Sequence, residues 1–282
     1  DNVNTDILKT LSKGDFILGQ KVFDLEKKLA DYVGVEYCIT CANGTDALLI
    51  PLMAKKVGYG DAVFTTNFSY FATTEVISLV GATPVFVDVY ENTFNINAEL
   101  LESQITKVLK EGKLVPKAII AVDLFGQLAD YEKIKKISKK YKLFLIEDAA
   151  QSFGATYKEE KSCSFGDIAS TSFFPAKPFG CYGDGGAIFT NDDGLAEIIK
   201  MIVNHGQNKK YHHKIIGCNS RLDSIQAAVL IPKLKILDKE IIQRNKIADY
   251  YSEKLSDKFK IQHINDGNIS SWAQYSILCN ST

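Results

Sequence analysis

Short apolar runs without polar alternation are the feature that most restricts this chain. Ala118-Ile119-Ile120-Ala121-Val122 and Leu143-Phe144-Leu145-Ile146 flank a segment of helical spacing, Tyr131 to Tyr141. Strands that read as continuous apolar runs are covered on both faces, and a helix between two of them makes a parallel crossover. The same alternation starts earlier. Helical spacing over Gln20 to Val33, closed by Gly34, leads into a strand at Tyr37 to Thr40. Helices are expected at Ala47 to Val57, Phe71 to Val80 and Ala98 to Leu109, with strands at Ala62 to Thr65 and Pro84 to Val87. Shorter strands follow at Ser170 to Phe174 and Ala187 to Thr190. The expectation is an α/β fold around a mixed, mostly parallel sheet.

After Asn191 the pattern changes. Helices are expected at Leu195 to Val203 and Leu222 to Leu255, the second bent or broken at Pro232. Phe259 to Gln262 and Trp272 to Leu278 then read as the opening strands of a smaller unit that looks unfinished where the sequence stops. The reading is a large α/β domain over 1–237 and the start of a small C-terminal domain over 238–282.

The 33 basic and 34 acidic residues leave a net charge of -1, which gives no basis for capturing nucleic acid or an anionic membrane. Neither a membrane-length apolar run nor a signal-peptide pattern is present, so a soluble protein is expected. Six cysteines at unrelated spacings fit reduced thiols and the cytoplasm. Cys38-Ile39-Thr40-Cys41 is formally a CxxC, but with no second ligand pair it reads as packing, and no metal is expected.

In an open parallel sheet, ligands gather beyond the carboxyl ends of the strands. Four stretches fall there. Asn43-Gly44-Thr45-Asp46-Ala47 joins a strand to a helix and is either a capped helix start or a phosphate turn. Glu147-Asp148-Ala149-Ala150-Gln151 puts two acids after an apolar strand, as a helix cap or as site groups. Ser172-Phe173-Phe174-Pro175-Ala176-Lys177 places a lysine in a turn, where it is solvated or held against a ligand. Gly180 to Gly186 is glycine-dense, yet has neither the GxGxxG spacing of dinucleotide folds nor the GK[ST] of a P-loop. Phosphate turn, strand-end acid, lysine and glycine turn, in that order, are what pyridoxal phosphate needs.

Those four stretches, with Gly81 to Asp88 and Asn219-Ser220-Arg221-Leu222-Asp223, resemble the DegT/StrS family of sugar aminotransferases from about Gly14 to Tyr275. The resemblance implies the fold of aspartate aminotransferase (fold type I), a homodimer with shared sites, and pyridoxal 5'-phosphate as cofactor. By position it implies that Lys177 holds the cofactor covalently, Asp148 pairs with its ring nitrogen and Gln151 meets its ring hydroxyl. Gly44, Thr45 and Ser172 match phosphate contacts, Tyr70 matches the ring-stacking position, and Asn219 matches a phosphate contact from the neighbouring subunit. Tyr70 can equally be core packing, and Asn219 an N-cap. Ser172 to Asp184 and Asn204 to Leu230 are most similar to enzymes of UDP-linked 3-oxo sugars, in particular UDP-2-acetamido-2-deoxy-3-oxo-glucuronate aminotransferases.

The implied reaction moves an amino group from L-glutamate to a nucleotide-linked keto sugar, giving an amino sugar of the kind used in polysaccharide biosynthesis. Arg221 is the candidate for a uronate carboxylate, its alternative being an ion pair with Asp223. Asp123 departs from the family, which often has histidine or serine there. Two other functions remain open: a sugar dehydratase of this fold, which would carry histidine in place of Lys177, and a non-catalytic regulatory homologue.

Overall fold

A computed structural model describes residues 2–279. Two helices lead in: α1 (Asn2–Lys13), then α2 (Gln20–Val33), which ends on Gly34 in the left-handed region at φ 85. Strand β1 (Tyr37–Cys41) and helix α3 (Gly44–Ala54) come next. The alternation continues through β2 (Asp61–Thr66), α4 (Ala72–Leu79), β3 (Thr83–Val87), α5 (Ala98–Glu111), β4 (Val115–Val122), α6 (Tyr131–Tyr141) and β5 (Phe144–Asp148). A short hairpin, β6 (Thr156–Tyr157) and β7 (Glu160–Lys161), precedes β8 (Ile168–Ser172), β9 (Gly186–Thr190) and α7 (Asp193–Ile202).

Among the described residues the main sheet has the order β1-β9-β8-β5-β4-β2-β3. Strand β9 runs antiparallel to both its neighbours, while β8, β5, β4, β2 and β3 are mutually parallel. The expected mixed, mostly parallel sheet is therefore present. The central strands are covered on both faces, while the edge strand β3 stays partly exposed. Phe144, Ile146, Ile120 and Ile168 pack against α3, α4 and α7, whereas Leu145, Ile119 and Ala121 pack against α5 and α6. On that second face α2 and α8 (Ser224–Leu234) cover Cys38, Ala169 and Phe189.

Several boundaries differ from the sequence reading. Helix α3 starts three residues before Ala47 because the Asn43 side chain accepts a hydrogen bond from the Asp46 amide at 2.8 Å, capping the first turn. The long C-terminal helix is two helices, α8 and α9 (Leu237–Leu255), with the break at 235–236, just past Pro232. Helix α1 was not expected: of its described side chains only Thr10 is buried, and its Leu8 and Leu11 are exposed. It packs along α8. The hairpin β10 (Gln207–Lys209) and β11 (His212–His213) was likewise too short and polar to read.

Beyond α9, β12 (Lys260–Ile261) pairs with β14 (Ile277–Leu278), and β13 (Asn268–Ile269) adds to β6. Only the end of the expected strand from Trp272 is regular. This segment is stitched to the large sheet's loops: Gln127 bonds the backbone of His263 and Asn265 at 2.9 and 2.6 Å, and the Ser271 amide donates to the Gly126 carbonyl at 2.9 Å.

One polar cluster lies inside the α5–α6 side of the sheet. Asp123 accepts from the Ala129 amide (2.9 Å), Tyr131 hydroxyl (2.9 Å) and Ser152 hydroxyl (2.8 Å). Glu147 accepts from the amides of Cys163, Phe165 and Gly166 at 2.5, 2.8 and 3.3 Å. The two carboxyls lie together in this cluster and act on each other's titration, and a proton held between them relieves the repulsion of two buried charges. Burial pushes Asp123 well above the usual carboxylate range and Glu147 from 4.5 to about 7. The folded chain thus binds more protons than the unfolded chain between these values, so the pair's contribution to stability falls as pH rises from 4.5 to about 7. In Asp123→Asn the amide donates to an ionised Glu147 and no proton need be held. Urea unfolding midpoints measured across this window should fall with pH for the wild type and fall less for the variant; equal slopes would contradict a shared proton.

Candidate functional site

The candidate phosphate turn is built by close approach of two elements. Gly44 and Thr45 open α3, and the first amides of a helix have no acceptor within it, so they are free to bind an anion. A β-carbon on Gly44 would sit 2.6 Å from the Ser172 Cβ and 2.9 Å from its Oγ. The start of α3 and the end of β8 therefore touch, and Gly44, Thr45 and Ser172 share one corner. The Ser172 Oγ accepts from the Phe174 amide at 3.3 Å, which leaves its own proton to donate. Beneath it, the Ser170 hydroxyl donates to the Ala47 carbonyl at 2.5 Å and locks α3 to β8.

Lys177 follows in a tight turn in which its amide donates to the Phe174 carbonyl at 2.8 Å. Gly180 closes the turn, since a β-carbon there would lie 2.6 Å from the Pro175 carbonyl oxygen. Burial holds the Lys177 ammonium below the usual lysine pKa, while the nearby Asp148 carboxylate acts in the opposite direction. An amine so placed is readily deprotonated and nucleophilic.

Side-chain alternation along β5 separates its two acids. Glu147 points with Leu145 to the α5–α6 side, where it serves the buried cluster described above. Asp148 points with Ile146 to the α3–α4 side, toward the lysine. Its Oδ2 accepts from the Thr73 hydroxyl at 2.9 Å and its Oδ1 from the Ala150 amide at 3.2 Å. Burial raises the Asp148 pKa; Thr73, the Ala150 amide and Lys177 oppose the rise. The Gln151 side-chain oxygen accepts from the Phe125 amide at 2.7 Å, so its NH2 group remains to donate.

Tyr70 lies three residues before Thr73, its carbonyl accepting from the Thr73 amide at 3.2 Å, and its side chain is 72% exposed. The core-packing alternative for Tyr70 is excluded by that exposure. Asn219 is no helix cap: α8 begins at Ser224, after Asp223. The Asn219 Oδ1 instead accepts from the Arg221 guanidinium at 2.5 Å, with a second, longer bond from Arg221 to Asn204 at 3.4 Å. Arg221 is thus held by two amides in place of the alternative partner Asp223, and its Nε is buried without a hydrogen-bond partner. Ser220 accepts from the Ala42 amide at 3.2 Å, which ties this segment to the backbone just before Asn43. Asp123 is fully buried, its oxygens serving Ala129, Tyr131 and Ser152. Sequence reasoning missed Thr73, which looks like any small residue on a buried helix face, and Ser220.

The profile of the DegT/DnrJ/EryC1/StrS aminotransferase family matches residues 1–282. The chain belongs to this family. Over 278 residues this DegT/DnrJ/EryC1/StrS member is 51% identical to the UDP-2-acetamido-2-deoxy-3-oxo-D-glucuronate aminotransferase of Pseudomonas aeruginosa, a match covering 98% of this chain and 76% of that protein. The crystal structure of a DegT/DnrJ/EryC1/StrS aminotransferase from Brucella abortus superposes with a TM-score of 0.96 at 51% identity, over 98% of this chain and 74% of that one. NtdA from Bacillus subtilis, with bound cofactor PMP, superposes at 0.88 and 31% identity, over 98% of this chain and 63% of that one.

The contact between Gly44 and Ser172 makes a direct test. Forcing a methyl group into a packed site costs about 1–3 kcal/mol, which is roughly tenfold or more in an equilibrium constant. Gly44→Ala should weaken binding of pyridoxal 5'-phosphate by about that factor in a fluorescence titration, with the far-ultraviolet circular dichroism unchanged. Unaltered affinity would show that the corner is not where the phosphate sits.

Proposed function

We propose that the chain is a pyridoxal-phosphate-dependent aminotransferase of nucleotide-linked keto sugars, acting on a UDP-linked 3-oxo sugar or 3-oxo-uronate with L-glutamate as donor. The observation that carries this is the convergence of a corner of helix amides and a serine hydroxyl, a desolvated lysine and a buried carboxylate at the ends of β8, β5 and α3. These groups fit the cofactor's three handles. Gly44, Thr45 and Ser172 would bind its phosphate, Asp148 its ring nitrogen and Gln151 its ring hydroxyl, with Tyr70 against the ring face. Once bound, pyridoxal phosphate supplies an electron sink for the bond to be broken at the substrate carbon.

The remaining work falls to the chain. Lys177, held at lowered basicity, takes a proton from the donor's carbon and later returns one to the sugar carbon. Asp148, ionised, holds a proton on the ring nitrogen throughout. Substrates then alternate in one site, and ping-pong kinetics follow. A dehydratase of this fold is disfavoured by Lys177, which can carry the cofactor where histidine would not.

A homodimer with shared sites is part of the proposal. Phe68, Tyr70, Phe71 and Leu79, along α4 and the segment before it, are exposed apolar residues of the kind that a partner would cover. Asn219 would then reach the partner's phosphate corner. We assign the segment from 238 onward to the small domain. Five of the six free thiols are buried or half-buried, in keeping with the cytoplasm, and no described helix is long and apolar enough to cross a membrane. The amino-sugar product would feed polysaccharide assembly.

The relative from Pseudomonas aeruginosa is named for a 3-oxo-glucuronate substrate. In this chain the group suited to a uronate carboxylate is Arg221, whose Nε is unpaired and whose fork is held by two amides. Incubation of UDP- and dTDP-linked 3-keto and 4-keto sugars with 15N-glutamate should give one aminated UDP-3-amino sugar carrying the label by mass. Arg221→Lys should raise KM for the 3-oxo-uronate well above its effect on the matching 6-hydroxy sugar. No labelled product from any sugar would refute the enzyme and favour a regulatory homologue; equal KM changes would remove Arg221 from substrate recognition.

A further inference from the structure

We infer that Thr73, supported by Ser69, is a positioning residue that keeps Asp148 ionised and aimed at the cofactor's ring nitrogen through a two-hydroxyl relay. The inference rests on the assignment of Asp148 proposed above. Thr73 is fully buried on the first turn of α4, with its hydroxyl 2.9 Å from Asp148 Oδ2 and 3.0 Å from the Ser69 hydroxyl.

Proton counting fixes the direction of this relay. Each hydroxyl has one proton, and an ionised carboxylate can only accept. If Asp148 is ionised, Thr73 must give its proton to Oδ2, and Ser69 must give its own to Thr73. Donors aligned in one direction polarise and strengthen one another. If Asp148 is protonated through Oδ2, the relay reverses and that proton is spent on Thr73. The ring nitrogen then faces an acid with less negative charge to hold it protonated.

Thr73 also differs from two other helical threonines of this chain. Thr10 and Thr106 return their hydroxyls to the carbonyls four residues back, at 2.9 and 3.2 Å. Thr73 bonds the side chain of Ser69, four residues back, and the acid of a different strand. The same turn carries Tyr70, so the start of α4 sets both the face and the electronics of the ring.

The test uses the full chain loaded with cofactor labelled with 15N at the ring nitrogen. Wild type should show a protonated-ring 15N shift, and Asp148→Asn should move it toward neutral pyridine. Thr73→Val should move it in the same direction and lower kcat by about tenfold to a hundredfold, the size of a lost charge-assisted hydrogen bond, with KM for the sugar little changed. Thr73→Ser, which keeps the hydroxyl, should restore both. Ser69→Ala, which removes only the outer donor, should shift the signal partway and serves if Thr73→Val does not fold. An unmoved 15N signal in Thr73→Val, or in Ser69→Ala when that variant is the one that folds, overturns the relay. So does a loss that Thr73→Ser fails to repair. If Asp148→Asn itself leaves the signal unmoved, the assignment of Asp148 fails first.

Discussion

A carboxylate at the buried end of a central strand is costly unless something nearby compensates its charge, and the arrangement of this protein around β5 answers that cost. Asp148 is 4% exposed, bonds Thr73 of α4 and lies near Lys177. Thr73, the Ala150 amide and the lysine each favour its charged form against desolvation. The neighbouring Glu147 solves the same problem differently, by sharing a proton with Asp123 and accepting three amides from the loop before β8. Two adjacent acids thus have opposite fates because successive side chains of a strand point to opposite faces. One face builds a site, and the other holds together the loop that leads into β8 and hence to Ser172 and Lys177.

The second constraint is steric. Only a residue without a β-carbon lets α3 approach β8 closely enough for Gly44, Thr45 and Ser172 to form one corner. Ser170 fixes that approach from below, and Gly180 fixes the turn that returns from Lys177. The C-terminal segment contributes as well: the Ser271 hydroxyl donates to the Gln151 carbonyl at 2.7 Å, so the residue expected at the ring hydroxyl is braced by both parts of the chain. Phe125, whose amide orients the Gln151 side chain, does so from a left-handed conformation at φ 60.

Much of this was legible in the sequence because it is local. Apolar runs such as Ala118 to Val122 and the glycine after Val33 report strand burial and helix termination directly. The order of turn, acid and lysine places the candidate groups at strand ends. What could not be read depends on partners distant in sequence. Thr73 gains its role from an acid 75 residues away, and Ser220 its role from an amide 178 residues away. The split between Glu147 and Asp148 needs the register of β5, since either acid alone suits a helix cap. Helix α1 and the hairpin of β10 and β11 carry too few buried side chains to leave a pattern. For Arg221 the sequence leaves a uronate carboxylate or Asp223 as partner, whereas in the fold it bonds amides brought close by the bridge between Asn204 and Asn219.

The proposed site depends on Lys177 being the residue that carries the cofactor between Ser172 and Asp148. Borohydride reduction of the loaded protein, followed by proteolysis and mass mapping, tests this most directly because reduction traps the cofactor on whichever lysine holds it. The mass of reduced cofactor should fall on the peptide containing Lys177 and on no other, and should be absent from Lys177→Ala. Labelling of a different lysine, or labelling that survives in that variant, would contradict the arrangement of the site.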